Sequence, residues 1–146
     1  SRNSRADSLL ELARVHGKLD DPAMRHQLAS VLAMRELNKL TNARAKAAAT
    51  QGTSSSLMSL GKLAMSKILH AEAAVKSQLI GAQALLAGPE NPVADDVNFL
   101  TLNAFFTSIG GGTDQIQRNI IGERVLGLPR EPEVDRDIPF RQARRS

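Results

Sequence analysis

The residues with the most chemical potential stand together in the run Ile109-Gly110-Gly111-Gly112-Thr113-Asp114-Gln115-Ile116-Gln117-Arg118. Three consecutive glycines remove the Cβ atoms from one stretch of backbone, so another molecule can approach it closely. A helix that follows such a stretch offers free amide groups and the positive end of its dipole. Thr113 stands at the junction, where its hydroxyl can cap the helix and still donate a hydrogen bond. This constellation can hold a phosphate or the polar edge of a ring. The same residues also suit a plain turn between two helices with Thr113 as its cap, and taken alone they leave both readings open.

The remaining reactive side chains suggest little chemistry. His16, His26 and His70 are not spaced as metal ligands, no carboxylate pair completes a site, and the chain has no cysteine, so thiolate metal sites and disulfides are excluded. His16 reads as part of a helix end, and His26 and His70 as helix-surface or interface residues. Asp95-Asp96 reads as a helix cap rather than an acid–base pair. Lys46 and the alanines around it read as a solvated helical face, and Gln117 and Arg118 as residues of a subunit contact.

The elements that must position the glycine run are helical. Residues 1–6 read as a frayed arm. Asp7 or Ser8 can cap a short helix through about His16, with Gly17 as its stop. Asp20-Asp21-Pro22 is a strong start signal, an acidic cap followed by Pro at the first helical position. The helix it opens should run from Pro22 to about Gln51 and stop at Gly52. Its apolar residues (Met24, Leu28, Val31, Leu32, Leu37, Leu40) lie on several sides, as on a helix with more than one neighbour. Thr53 to Ser56 make a polar turn. Then Leu57, Leu60, Ala64, Ile68, Ala71, Val75, Leu79, Ala82 and Leu86 recur at steps of three and four, with Lys62, Lys67, Glu72 and Lys76 off the stripe. That helix should end at Gly88-Pro89. Residues 89–94 form a loop, Asp95 or Asp96 starts a helix from Val97 to about Ile109, and a last helix runs from about Thr113 to Leu126, ended by Gly127. Leu128 to Ser146 reads as a charged, Pro-interrupted tail. No segment alternates as a strand does, and an up-and-down helical bundle follows.

Composition agrees with that architecture. A chain of 146 residues is one domain's worth, and a domain of that size hides roughly 70% of its unfolded surface. The hydrophobic share is 42%, but aromatics are 3% with no Trp or Tyr. The core must then be built of Leu, Ile, Val, Met and Ala, which favours helix on helix. The formal net charge of +4 makes a basic helical nucleic-acid binder a distant option. The basic residues are spread along the chain, and the stacking aromatics of single-strand binders are missing. A mildly basic surface also suits a polyanionic coenzyme. No uninterrupted apolar run reaches the roughly 20 residues of a membrane span, and the first residues lack an apolar signal region. The first residue is not Met, which suggests a processed, tagged or excised product.

A family resemblance sharpens the reading. The gap-free run Gly111-Gly112-Thr113-Asp114-Gln115-Ile116-Gln117-Arg118-Asn119-Ile120-Ile121-Gly122-Glu123-Arg124-Val125-Leu126-Gly127-Leu128-Pro129-Arg130 resembles the end of acyl-CoA dehydrogenases. Ser8-Leu9-Leu10-Glu11-Leu12-Ala13-Arg14, with Asp21-Pro22 after it, resembles the middle of the same C-terminal domain in bacterial members. The resemblance implies an all-α, up-and-down four-helix bundle whose first helix is missing here, spanning residues 1–130, with 131–146 as a charged tail. It implies a cytoplasmic, FAD-dependent enzyme that converts an acyl-CoA thioester to the trans-2-enoyl-CoA and passes electrons to an electron-transfer flavoprotein. It implies a homo- or hetero-tetramer, with no nucleic acid and no metal. By matching position, Thr113, Asp114 and Gln115 would bind FAD, and Gly112 would lie near the substrate carbonyl. Gln78-Leu79-Ile80-Gly81-Ala82 resembles the family's Gln-x-x-Gly-Gly segment, so Gln78 and Gly81 would approach the flavin of a neighbouring subunit. Arg25 falls near a polar position that reaches the cofactor.

One departure bears on catalysis. Many members carry the catalytic Glu immediately before Gly-Thr, where this chain has Gly111. Glycine cannot abstract a proton. The base could lie on the preceding helix, absent here, or on a partner subunit, or the subunit could have lost the chemistry and serve structure. Alone, the chain is expected to be inactive. A self-associating helical module without chemistry is the alternative reading.

Overall fold

The computed structural model describes residues 4–51, 57–130, 132 and 138–142. Five α-helices account for most of them, and there is no strand among the described residues: α1 (Ser4–Val15), α2 (Pro22–Thr50), α3 (Leu57–Ile80), α4 (Pro92–Ile109) and α5 (Asp114–Arg124). The expected stop at Gly52, the turn at Thr53 to Ser56 and most of the expected tail lie outside the described residues.

Each boundary has a local cause. α2 begins as expected, with Asp21 Oδ1 accepting from Ala23 N at 2.9 Å and Met24 N at 3.3 Å and Pro22 at the first position, where its missing N–H costs nothing. α1 starts at Ser4 rather than at a cap on Asp7 or Ser8, since nothing in Ser4-Arg5-Ala6 opposes a helix. α4 starts at Pro92, a turn before Asp95. Pro92 is therefore not a loop residue, and neither Asp95 nor Asp96 is the cap. Asp95 Oδ1 instead accepts from Gly88 N at 3.0 Å and ties the preceding loop to the helix.

The long stripe also stops early. α3 ends at Ile80, and Gly81–Leu85 continue as a tighter 3₁₀ segment. Gly81 has φ +58, a left-handed backbone that ends an α-helix and that glycine adopts without strain. Ala82 and Leu86 carry the three-and-four spacing past this break, yet both are exposed.

α3 is the central helix. α1, α2, α4 and α5 all pack against it, while α2 and α4 form no substantial interface with each other. α2 runs antiparallel to α3. Met24, Leu28 and Val31 meet Val75 and Leu79 at one end, and Leu9 and Ala13 of α1 close that cluster. Midway, Glu72 is buried between Arg35 of α2 and Lys76 one turn on, whose Nζ lies 3.1 Å from Glu72 Oε1. On the other flank, Ile80 packs with Ala94 and Val97 of α4. α4 turns its small residues (Ala94, Val97, Ala104) inward, while Phe99, Leu102, Phe105, Phe106 and Ile109 are exposed. The result is an open helical layer with α3 in the middle.

Candidate functional site

The glycine run connects α4 to α5 across the face of α3. Gly110 accepts the end of α4, its N–H donating to Phe106 O at 2.7 Å. Gly111 and Gly112 then take φ +66 and +93. Both values lie in the region L side chains avoid, so two residues reverse the chain and bring the start of α5 back onto α3. Thr113 caps α5: its Oγ1 accepts from Ile116 N at 3.2 Å, and its own hydroxyl proton stays available. The amides of Asp114 and Gln115, in the first turn, have no intrahelical acceptor.

The two faces of this turn differ. Outward, Gly111 is exposed, and a Cβ placed on it would meet no atom within 4 Å. Gln115 is exposed beside it. Inward, Gln117 is buried, with Nε2 3.4 Å from Gly111 O. Gln117 thus braces the turn from beneath within its own chain, whereas Arg118 is exposed. Asp114 also points inward. Its Oδ2 accepts from Ser66 Oγ at 2.8 Å, and its Oδ1 lies 3.9 Å from Lys62 Nζ. With that carboxylate turned away, the outer rim offers backbone N–H groups, the Thr113 hydroxyl and the Gln115 amide. A neutral, donor-rich rim over an open cradle fits the polar edge of a ring system or a phosphate.

The other expected cofactor residues lie elsewhere. Gln78 is twelve positions beyond Ser66 on α3, about 18 Å of helix, and is exposed, as is Gly81. Arg25 is exposed at the start of α2, next to Met24, which packs in the cluster that holds Leu79. Arg25, Gln78 and Gly81 therefore share one end of the layer, and the Gly111–Gln115 turn occupies the other half. One chain does not bring the two groups together. His26 is exposed, and His16 is half-buried at the end of α1. His70 is not a simple surface residue: its Nε2 lies 2.8 Å from Ser108 Oγ and its ring meets Phe105 edge-on. Lys62, Ser66 and His70 form a polar row at steps of four beside the apolar stripe. That spacing was the available signal for their shared face, but nothing in it identifies their partners on α4 and α5. Among the described residues, no three His, Cys, Asp or Glu side chains are placed to hold a metal ion, and no helix is long and apolar enough to cross a membrane.

The all-helical fold agrees with that of acyl-CoA dehydrogenase C-terminal domains. The chain belongs to that family: the model of the acyl-CoA dehydrogenase C-terminal domain matches residues 7–126. It is 36% identical over 131 residues to the acyl-CoA dehydrogenase IpdE1 of Mycolicibacterium smegmatis, covering 85% of this chain and 30% of that protein. It is 35% identical over 129 residues to IpdE1 of Mycobacterium tuberculosis, covering 85% of this chain and 31% of that one. The chain thus spans about a third of the length of these relatives. A solved structure titled Tcur3481-Tcur3483 steroid ACAD superposes with a TM-score of 0.75 at 21% identity, over 86% of this chain and 34% of the other. That likeness speaks for the fold.

Proposed function

We propose that this chain is the FAD-binding and subunit-assembling domain of a flavin-dependent acyl-CoA dehydrogenase. The observation that carries the reading is the glycine turn, with its open outer face at Gly111, its capped helix start at Thr113 and its inward-turned Asp114. Thr113 Oγ1–H and the exposed Gln115 amide donate to FAD, Asp114 holds the turn from within, and the Gly112 backbone lies along the substrate thioester. FAD held there would supply the hydride acceptor for dehydrogenation of the acyl chain. Gly111 contributes no carboxylate, so the proton passes to a base outside this turn, on a preceding helix or a partner subunit. An electron-transfer flavoprotein would be the redox partner of the complete enzyme. Arg25, Gln78 and Gly81 serve a flavin at the other end of the layer, held jointly with a neighbouring subunit. The exposed apolar row on α4 (Phe99, Leu102, Phe105, Phe106, Ile109) is covered in the assembled tetramer.

The same row favours one second reading, a self-associating bundle without chemistry. Flavin content separates the two. In the complete polypeptide that carries this chain, Thr113→Ala should lower FAD occupancy severalfold after dialysis while helicity stays the same. Unchanged occupancy would reject the assignment of the turn. Self-association with no flavin affinity in the parent protein would favour the structural reading.

A further inference from the structure

A polar cluster centred on buried Ser66 reaches beyond the turn. Ser66 is fully buried on α3. Its Oγ lies 2.8 Å from Asp114 Oδ2 and 2.8 Å from Ser108 Oγ. Ser108 Oγ in turn lies 2.8 Å from His70 Nε2. Counting protons puts these contacts in order. An ionised carboxylate only accepts, and each serine hydroxyl has one proton to give. Ser66 donates to Asp114, so it must accept from Ser108. Ser108 has then spent its proton, so its 3.1 Å approach to Ala104 O carries none, and its oxygen accepts from His70. His70 therefore donates through Nε2. The Phe105 ring, 4.9 Å away and nearly perpendicular, holds the imidazole in its plane.

Lys62 completes the corner. Its ammonium donates to Thr107 O and faces Asp114 Oδ1, a buried oxygen with no hydrogen-bond partner among the described residues. Asp114 is the first residue of α5 and directly follows Thr113. Whatever fixes Asp114 also fixes where Thr113 and Gln115 point.

We propose that His70, Ser108 and Ser66 form a one-way hydrogen-bond chain ending on Asp114, which makes His70 a positioning residue for the ligand-facing turn. That the ligand is FAD rests on the reading above. The chain joins three helices through four side chains, and cutting any link takes a hydrogen-bond partner from a buried or partly buried polar group.

Two readouts test this in the complete polypeptide, one of them independent of flavin. The first is hydrogen exchange at the Ile116 and Gln117 amides, which donate to Thr113. His70→Leu and Ser108→Ala should each speed that exchange about tenfold, equivalent to ~1.4 kcal/mol. His70→Gln, which keeps an N–H near the Nε2 position, should restore it. The second is FAD occupancy, which should fall with the loosened turn in His70→Leu and recover in His70→Gln. Unchanged exchange in both His70→Leu and Ser108→Ala overturns the proposal, and so does a Gln variant as loose as the Leu variant. If Thr113→Ala loses flavin while His70→Leu loosens the turn and keeps it, the positioning role fails and the flavin reading stands. If Thr113→Ala keeps its flavin, the flavin reading fails and exchange alone decides for or against the hydrogen-bond chain.

Discussion

Glu72 offers the sharpest test of how the layer is held. Its carboxylate is buried between α2 and α3, with Arg35 on one side and Lys76 on the other; their side chains keep 18% and 20% exposure. Burial alone would raise its pKa, but the Arg35 hydrogen bond and the charges of Arg35 and Lys76 outweigh that and hold it below its ordinary 4.5. Glu72→Leu removes the shared anion and leaves Arg35, whose Nη1 is already buried without a hydrogen-bond partner among the described residues, with no counter-charge. Stranding one member of a buried pair costs about 3–5 kcal/mol. The partial exposure of both cations points to the lower end, about 3 kcal/mol. With a urea slope near 2 kcal/mol per molar, the midpoint should fall by roughly 1.5 M. Arg35→Met on top of Glu72→Leu removes the stranded charge, and the double variant should recover to within about 1 kcal/mol of the parent. With no Trp or Tyr in the chain, helical circular dichroism is the natural probe. The pH dependence has a definite sign. A carboxyl whose pKa is lower folded than unfolded stabilises fully above the unfolded value and loses that contribution as pH falls through the folded one. The gap between parent and Glu72→Leu should therefore hold at neutral pH and shrink below 4.5. A single variant within 1 kcal/mol of the parent at pH 7, or a double variant worse than the single, would refute the reasoning.

Other outcomes follow from geometry. Gly112→Ala must place a Cβ at φ +93 and 2.8 Å from Gln117 Nε2, whereas Gly111→Ala has open space at φ +66. Gly111→Ala should cost about 1 kcal/mol in urea unfolding, and Gly112→Ala at least about 2 kcal/mol because Gln117 must also move. Leu9→Ala empties a fully buried site that docks α1 on α2 and α3 and should cost about 3 kcal/mol. Val15→Ala, on an exposed position of the same helix, should stay within about 0.5 kcal/mol.

What could be read in advance follows a physical division. Local backbone chemistry was legible: Asp21-Pro22 as a helix start, Thr113 as a cap, and the glycines as the reversal between α4 and α5. The apolar stripe was legible through Leu79, because that stretch buries a face. It misled beyond Gly81, where Ala82 and Leu86 keep the phase but stay exposed; spacing records residue type and not what lies opposite. Asp95 and Asp96 looked like caps because Pro92 was read as a loop residue, although Pro suits the first turn of a helix equally well. The Ser66, Ser108, His70 and Asp114 chain was not legible. Its links join residues 42 and 48 positions apart, and serines and a histidine on a helix carry no mark of their distant partners.

The inverted character of α4 connects the fold to the proposed assembly. A helix that spends Ala94, Val97 and Ala104 on its own neighbour and keeps a row of Phe, Leu and Ile outward is shaped for a second surface. The opposite flank is unfinished too: a groove of about 310 Å³ between α2 and α3 is lined by Met34, Leu37, Leu60 and Ile68. Both flanks of α3 thus carry apolar surface that its own chain leaves open. This fits a chain that spans about a third of its relatives' length. It also accounts for the separation of the two candidate groups. Gln78 sits about 18 Å along α3 from Ser66, the partner of Asp114, and Arg25 and Gly81 lie toward the Gln78 end. One chain keeps the two groups apart, and the proposed joint flavin site therefore calls for a neighbouring subunit. On the proposed reading, Gly111 leaves the turn to supply shape and donors, and the base belongs to a segment or subunit packed against it.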